Sequence, residues 1–358
     1  MLNQASPPQF IHHLHAFRAI AMLTIVAAHA WPLIMSFPNG IAQRPDLLPL
    51  YALFEMLFHG STLYFALISG LLYRLVLRDR GYGAFFKSKL TNVVLPYCLV
   101  SLVTVAVFWS YHYEQAILNE HTTNFVLVYL KSLVFGKAMF HLWYIPVLVM
   151  LFLSTPLIDS LLKSPNSLWV VVIIALLPMV IGRTGYPQLL SWQSLTYFFA
   201  AYALGMLIGD YYQPFRRVLA KYTYSLWIAL VLLCLLVYHQ IYTQSEPVGV
   251  FSLKQAAVYL QKITFACLLL HYLGLRKEST PKVLDLIARH SYSLYLLHAS
   301  FSLIMAKIMM DAQLIDYSMI SVLIAGAVFY IVSIALSLLI SVSAKRMAGS
   351  YSRMIVGT

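Results

Sequence analysis

The sequence predicts an all-α polytopic membrane protein of about ten transmembrane helices with both termini cytoplasmic, and three observations carry that prediction. Hydrophobic residues make up 61% of the chain and charged residues only 10%, with a mean hydropathy of +0.78, whereas soluble domains carry about 25% charged residues. Apolar stretches of near bilayer-crossing length recur along the whole chain. The Lys and Arg residues fall between these stretches in an alternating pattern instead of forming one basic stripe. That pattern excludes nucleic acid as the partner implied by the formal charge of +12.

The expected spans are 16–36, 51–73, 90–111, 139–160, 168–183, 189–209, 223–242, 255–274, 290–310 and 317–342. The span at 168–183 is short and contains Pro178. The segment 124–137 is apolar on one side with Lys131 and Lys137 on the other, so it is expected to lie in the membrane interface. With an even number of spans, one set of alternate loops holds Arg74, Arg78, Arg80, Lys87, Lys89, Lys163, Arg216, Arg217, Lys221, Arg276, Lys277 and Lys282, with Lys345, Arg346 and Arg353 after the last span. The other set holds Arg44, Arg183 and Lys254, with Lys131 and Lys137 in the interfacial segment. The excess places the first set and both termini in the cytoplasm. Residues 1–358 are expected to form a single membrane-embedded domain with no appended soluble module. The N-terminus reads as uncleaved, since residues 1–15 contain no Lys or Arg. Cys98, Cys234 and Cys267 all lie in apolar stretches and have neither disulfide nor metal spacing.

Within the first span, FRAIAMLTIVAAH sets Arg18 and His29 at its two ends. Eleven residues at about 100° each make roughly three turns, so the two side chains share one face about 16 Å apart. An arginine near the cytoplasmic end can hold a phosphate or carboxylate bidentately, although it can equally snorkel to headgroups. A histidine at depth is a functional candidate, as general base or as a neutral hydrogen-bonding group between helices. The 74–89 stretch carries five Lys/Arg against one Asp. It reads as an orientation signal and lipid contact, or as a site for a polyphosphorylated donor using Arg74, Arg78, Lys87 and Lys89. At the expected outer start of a span, HLWYIP brings His141, Trp143 and Tyr144 together, which fits an aromatic belt or a site mouth. RHSYSLYLLHAS is polar for a span, with Tyr295 and His298 among several serines, and reads as a packed polar network. His271, His239, His59 and Glu55 read as core or interface, and His12, His13 and His15 lack the spacing of a zinc site.

FRAIAMLTIVAAH resembles the first-span signature of acyltransferase family 3, an Arg, ten residues, then a His. FALISGLLY, which contains Ser69, is similar to that family's FFVLSGFLL. FFKSKLTNVVLPY corresponds to its basic stretch ending in proline, here Pro96. HLWYIP and HSYSLYLLHAS are similar to two later motifs in the same order. Two departures stand out: His15 replaces the family's Asp three residues before the Arg, and Lys87 and Lys89 stand where paired arginines are usual. The resemblance implies a bacterial inner-membrane enzyme that moves an acyl group, acetyl above all, from cytoplasmic acyl-CoA to a hydroxyl of a cell-surface or lipid-linked glycan. It implies no bound cofactor. It further implies His29 as base or acyl carrier, His298 as a second catalytic group, Arg18 with the basic stretch, Ser69 and Tyr295 on the substrates, and glycan-assembly proteins as partners. The rival expectation is a polysaccharide or small-anion exporter using the same Arg18 and His29 for substrate or proton handling.

Overall fold

The computed structural model describes residues 8–36, 39–120, 122–164, 166–185, 188, 190–244, 250–276 and 280–358. Residues 1–7, on which the reading of the N-terminus partly rests, and Lys277 of the charge pattern lie outside them. The helices are α1 (Pro8–Ser36), α2 (Leu48–Phe58), α3 (Thr62–Leu72), α4 (Gly81–Lys89), α5 (Leu95–Val107), α6 (Trp109–Glu120), α7 (Phe125–Phe135), α8 (Tyr144–Leu161) and α9 (Ser167–Leu176). They continue with α10 (Trp192–Asp210), α11 (Tyr212–Lys221), α12 (Thr223–Tyr242), α13 (Leu253–Leu275), α14 (Lys282–Arg289), α15 (Ser291–Asp311), α16 (Met319–Ala348) and α17 (Ser352–Ile355). Among the described residues no strand occurs, so the all-α polytopic class holds. An apolar solvent leaves few alternatives, because every backbone polar group must be satisfied within its own segment.

Each of the ten expected stretches overlaps a helix, several of them only in part. Among the described residues, seven helical stretches, against about ten expected, are long and apolar enough to cross a membrane. His15 of α1 and Thr358 line the same cavity, so both ends of the described chain lie at one end of the bundle. We call this the basic end, because α11, α14 and the 78–89 stretch carry its Lys and Arg residues. Two π-helical turns, Tyr73–Leu77 and Leu90–Val94, bracket that stretch.

The expected continuous span 51–73 is broken. α2 stops at Phe58, His59 is extended, and Gly60 takes a φ of +77° before α3 begins. A break inside an apolar bundle strands the last carbonyls of the first half. Here they are met by partners from α13. The ammonium of Lys262 donates to Met56 O at 3.2 Å and Leu57 O at 2.9 Å, and Gln261 donates to Met56 O at 3.1 Å. Ser61 Oγ donates to Phe58 O at 2.7 Å. Lys262 is only 1% exposed, and these carbonyls take the place of water around its charge.

A second irregularity lies between α7 and α8. α7, eleven residues long, ends at Gly136 in the left-handed conformation. The non-helical stretch that follows carries Phe140, His141 and Trp143 into the bundle, with His141 1% exposed. His141 precedes the start of α8, as expected from sequence, but is enclosed by protein, and Tyr144 (2% exposed) packs in the core instead of facing outward as a belt residue would. α7 packs its inner face on α5, where Tyr129 donates to Cys98 O at 3.0 Å and Tyr97 to Leu133 O at 2.7 Å.

α3 packs most extensively on α10, through reciprocal glycines. A Cβ on Gly70 would overlap the carbonyl oxygen of Tyr202, and one on Gly205 would overlap that of Leu67. Small residues let two backbones approach closely where no hydrophobic effect drives helices together. Gly205→Val should therefore cost about 1–3 kcal/mol or abolish folding, read as a lowered thermal midpoint in detergent. Gly83→Ala, with nothing within 4 Å of its Cβ, should leave that midpoint unchanged.

Candidate active site

Three histidines distant in sequence meet inside the bundle. The ring of His29 on α1 lies 5.4 Å from that of His298 on α15, stacked at 29°, and 6.3 Å from that of His141. His141 and His298 are 4.8 Å apart between centroids. The tautomer of His298 follows from its surroundings. Its Nδ1 faces Leu294 O at 2.9 Å and Tyr295 O at 3.0 Å, so Nδ1 carries the proton and donates to these carbonyls. Nε2 then carries the lone pair, and it is buried without a hydrogen-bond partner. Both ring nitrogens of His141 are likewise unpartnered, while the His141 carbonyl accepts from the Tyr295 hydroxyl. Buried polar atoms are normally satisfied, which makes these ring nitrogens candidates for contact with a bound group.

A cavity of about 640 Å³, within the range of ligand sites, runs from the basic end toward this cluster. It stops at Tyr144 and Tyr295, whose rings are 6.3 Å apart, and Tyr295 lies 5.5 Å from His141 and 6.1 Å from His298. Among its described lining residues are the cations Arg18, Lys89, Arg289, Lys345 and Arg353, and there is no Asp or Glu. Arg289 is paired with Asp285 at 2.7 Å. Arg18 donates to Ser291 Oγ at 2.9 Å and pairs with no carboxylate among the described residues. Ser69, Tyr144, Tyr295 and Lys89 also line this cavity, and Lys89 stands 4.4 Å over the Phe152 ring. Of the departures from the resemblance, His15 and Lys89 face the same space and Lys87 does not, whereas His13 turns away to Tyr212 at 2.9 Å.

The other expected donor-site residues are placed differently. Arg74 is 4% exposed at its side chain and bonded to both Asp159 and Asp210, and Arg78 sits 4.0 Å and 3.9 Å from the same carboxylates. Tyr82 also donates to Asp159 at 2.8 Å. This network ties the α3 end to α8 and α10, and neither arginine lines the cavity. Lys87 is exposed and outside it too. Trp143 lies under the guanidinium of Arg183 at 5.4 Å.

Arg183 belongs to a second polar group that sequence reasoning passed over. Its Nη2 donates to His59 Nε2 at 3.0 Å, so His59 must donate from Nδ1 to Glu55 at 2.9 Å. Arg183 is 9% exposed, is flanked by Tyr197 and Phe198 as well, and keeps an unpartnered Nε. The i, i+4 spacing of Glu55 and His59 was the one available signal. The sequence residues missed in the cavity are Arg289, His290, Lys345, Arg353 and Thr358, which come together only through the fold.

The model of the acyltransferase-domain family, of the acyltransferase 3 type, matches residues 11–344. No curated protein and no solved structure matches the sequence.

Arg74 should behave as a structural residue. Arg74→Gln leaves two largely buried carboxylates facing each other and should cost about 3–5 kcal/mol, seen as a large drop in thermal midpoint or yield. Lys87→Gln should leave both unchanged.

Proposed function

The chain belongs to acyltransferase family 3, and from that premise we propose that this membrane acyltransferase takes its acyl group from cytoplasmic acyl-CoA and delivers it to a hydroxyl of a cell-surface or lipid-linked glycan. The bacterial inner membrane is the setting of that reaction, with the basic end facing the cytoplasm. The observation that carries the reading is a cavity lined by five cationic side chains and no Asp or Glu, which ends at Tyr144 and Tyr295, the latter ring 5.5 Å from His141 and 6.1 Å from His298. Phosphates of the donor bind Arg18 and Lys89, since charge-assisted bonds to a guanidinium are the strong ones available in a low-dielectric site. The thioester passes Ser69 and reaches Tyr144 and Tyr295. The acceptor comes from the other side, where Trp143 offers a stacking face and Arg183 a free N–H donor.

The chemistry needs a base at the meeting point. His29 is half-buried, the most accessible ring of the three, and it removes the acceptor O–H proton. The oxygen attacks the thioester carbonyl carbon, a C–O bond forms, the C–S bond breaks, and the same proton passes from the imidazole to the departing thiolate. His298 Nε2, fixed as an acceptor, orients the hydroxyl or the imidazolium. Acetyl is the acyl group of choice, and acceptor identity follows from the glycan at hand.

A second reading has one observation in its favour. The break at His59–Ser61 beside the histidine cluster is the kind of discontinuous helix that forms transport sites. Surface glycan from cells carrying His29→Ala separates the two. Loss of one acyl mass per repeat with polymer amount unchanged is expected, whereas loss of the whole polymer without acyl change would establish export. In purified protein, His298→Asn keeps a donor near Nδ1 but has no atom at Nε2. It should lower turnover by about 100-fold or more with an unchanged thermal midpoint.

A further inference from the structure

The family match ends at residue 344, yet two of the five cations that line the cavity lie beyond it, Lys345 and Arg353. The segment that carries Arg353 is packed, not loose. Gly349 at a φ of +55° turns the chain after α16. Ser352, fully buried, donates to Gly349 O at 2.6 Å and to Thr358 O at 3.0 Å, which closes residues 352–358 into a compact loop. Val356 is 8% exposed. Gly357 has a φ of +78° and sits so close to the Tyr292 ring that a Cβ would overlap it. Thr358 Oγ1 lies 2.6 Å from Nδ1 of His290. The loop thereby rests on the α14–α15 junction and on α5, with Arg353, Gly357 and Thr358 forming part of the cavity wall.

From this placement we infer that Ser352–Thr358 is a donor-binding strap: it completes the mouth of the cavity, and Arg353 contacts the phosphate groups of the acyl donor. The inference rests on the proposal that the cavity admits acyl-CoA. Its support is electrostatic. Arg353 is exposed on its outer side and pairs with no Asp or Glu among the described residues, and it lines the same cavity as Arg18, Lys89, Arg289 and Lys345.

Coenzyme A and S-acetylpantetheine, which lacks the phosphates, are the probes. Their dissociation constants are measured by calorimetry on the full chain in nanodiscs, for the wild type, Arg353→Gln and a chain shortened after Ala348. Arg353→Gln should weaken coenzyme A about tenfold, the loss of one charge-assisted phosphate contact, and leave S-acetylpantetheine unchanged. The shortened chain should weaken coenzyme A further. Arg353→Gln changes an exposed side chain, so an unaltered thermal midpoint keeps the result free of folding effects. Unchanged coenzyme A affinity in Arg353→Gln would overturn the strap as a binding element, and tighter binding by the shortened chain would make the loop a plug instead. Failure of the wild type itself to bind coenzyme A would sink the donor proposal beneath it, a distinct result.

Discussion

Positive charge held inside an apolar bundle without a resident counter-ion is the constraint on which the site depends. A buried ion costs several kcal/mol unless something repays its lost hydration. The molecule solves this twice, in opposite ways. Arg74 is repaid in full by Asp159 and Asp210, and it becomes a fixed tie between α3, α8 and α10. Arg18 and Lys89 receive a serine hydroxyl and an aromatic face, which leave most of their charge unanswered. The difference sorts two sets of arginines and lysines that look alike in sequence into ion-paired scaffold and cavity wall. A cavity of this kind attracts anions and gains stability when one enters.

The buried polar side chains are brought together by breaking regular structure at two points. An unbroken α2–α3 helix would present only its side chains, but the break at His59–Ser61 turns His59 toward Arg183 and Glu55. The non-helical stretch after α7 does the same for His141, bringing its ring within 4.8 Å of His298. Each irregularity lies where it is covered by protein, and the first is capped by Lys262 and Gln261 of α13. Non-helical backbone at this depth survives only under such cover.

Much of the fold was legible because a bilayer allows so few answers. Apolar stretches of the right length became helices, and the helical period placed Arg18 and His29 on one face. The histidines were also legible as singular polar residues at depth, since an apolar solvent makes each one expensive. What stayed hidden was anything decided by partners far away in sequence. Arg74 read as a donor-site cation because its carboxylates stand 85 and 136 residues downstream. Gly60 gave only weak notice of the break, and the partners that stabilise it come from α13. Lys345 and Arg353 read as orientation charges and Arg289 was not singled out, and only the packing of α14, α16 and the loop after it brings them into one cavity wall with Arg18.

A structure of the protein with coenzyme A bound tests the central claim most directly. The account predicts phosphate groups against Arg18 and Lys89, with the sulfur at Tyr144 and Tyr295 on the side facing His29. Phosphates gathered on Arg74 and Arg78, or coenzyme A at the opposite end of the bundle, would contradict it.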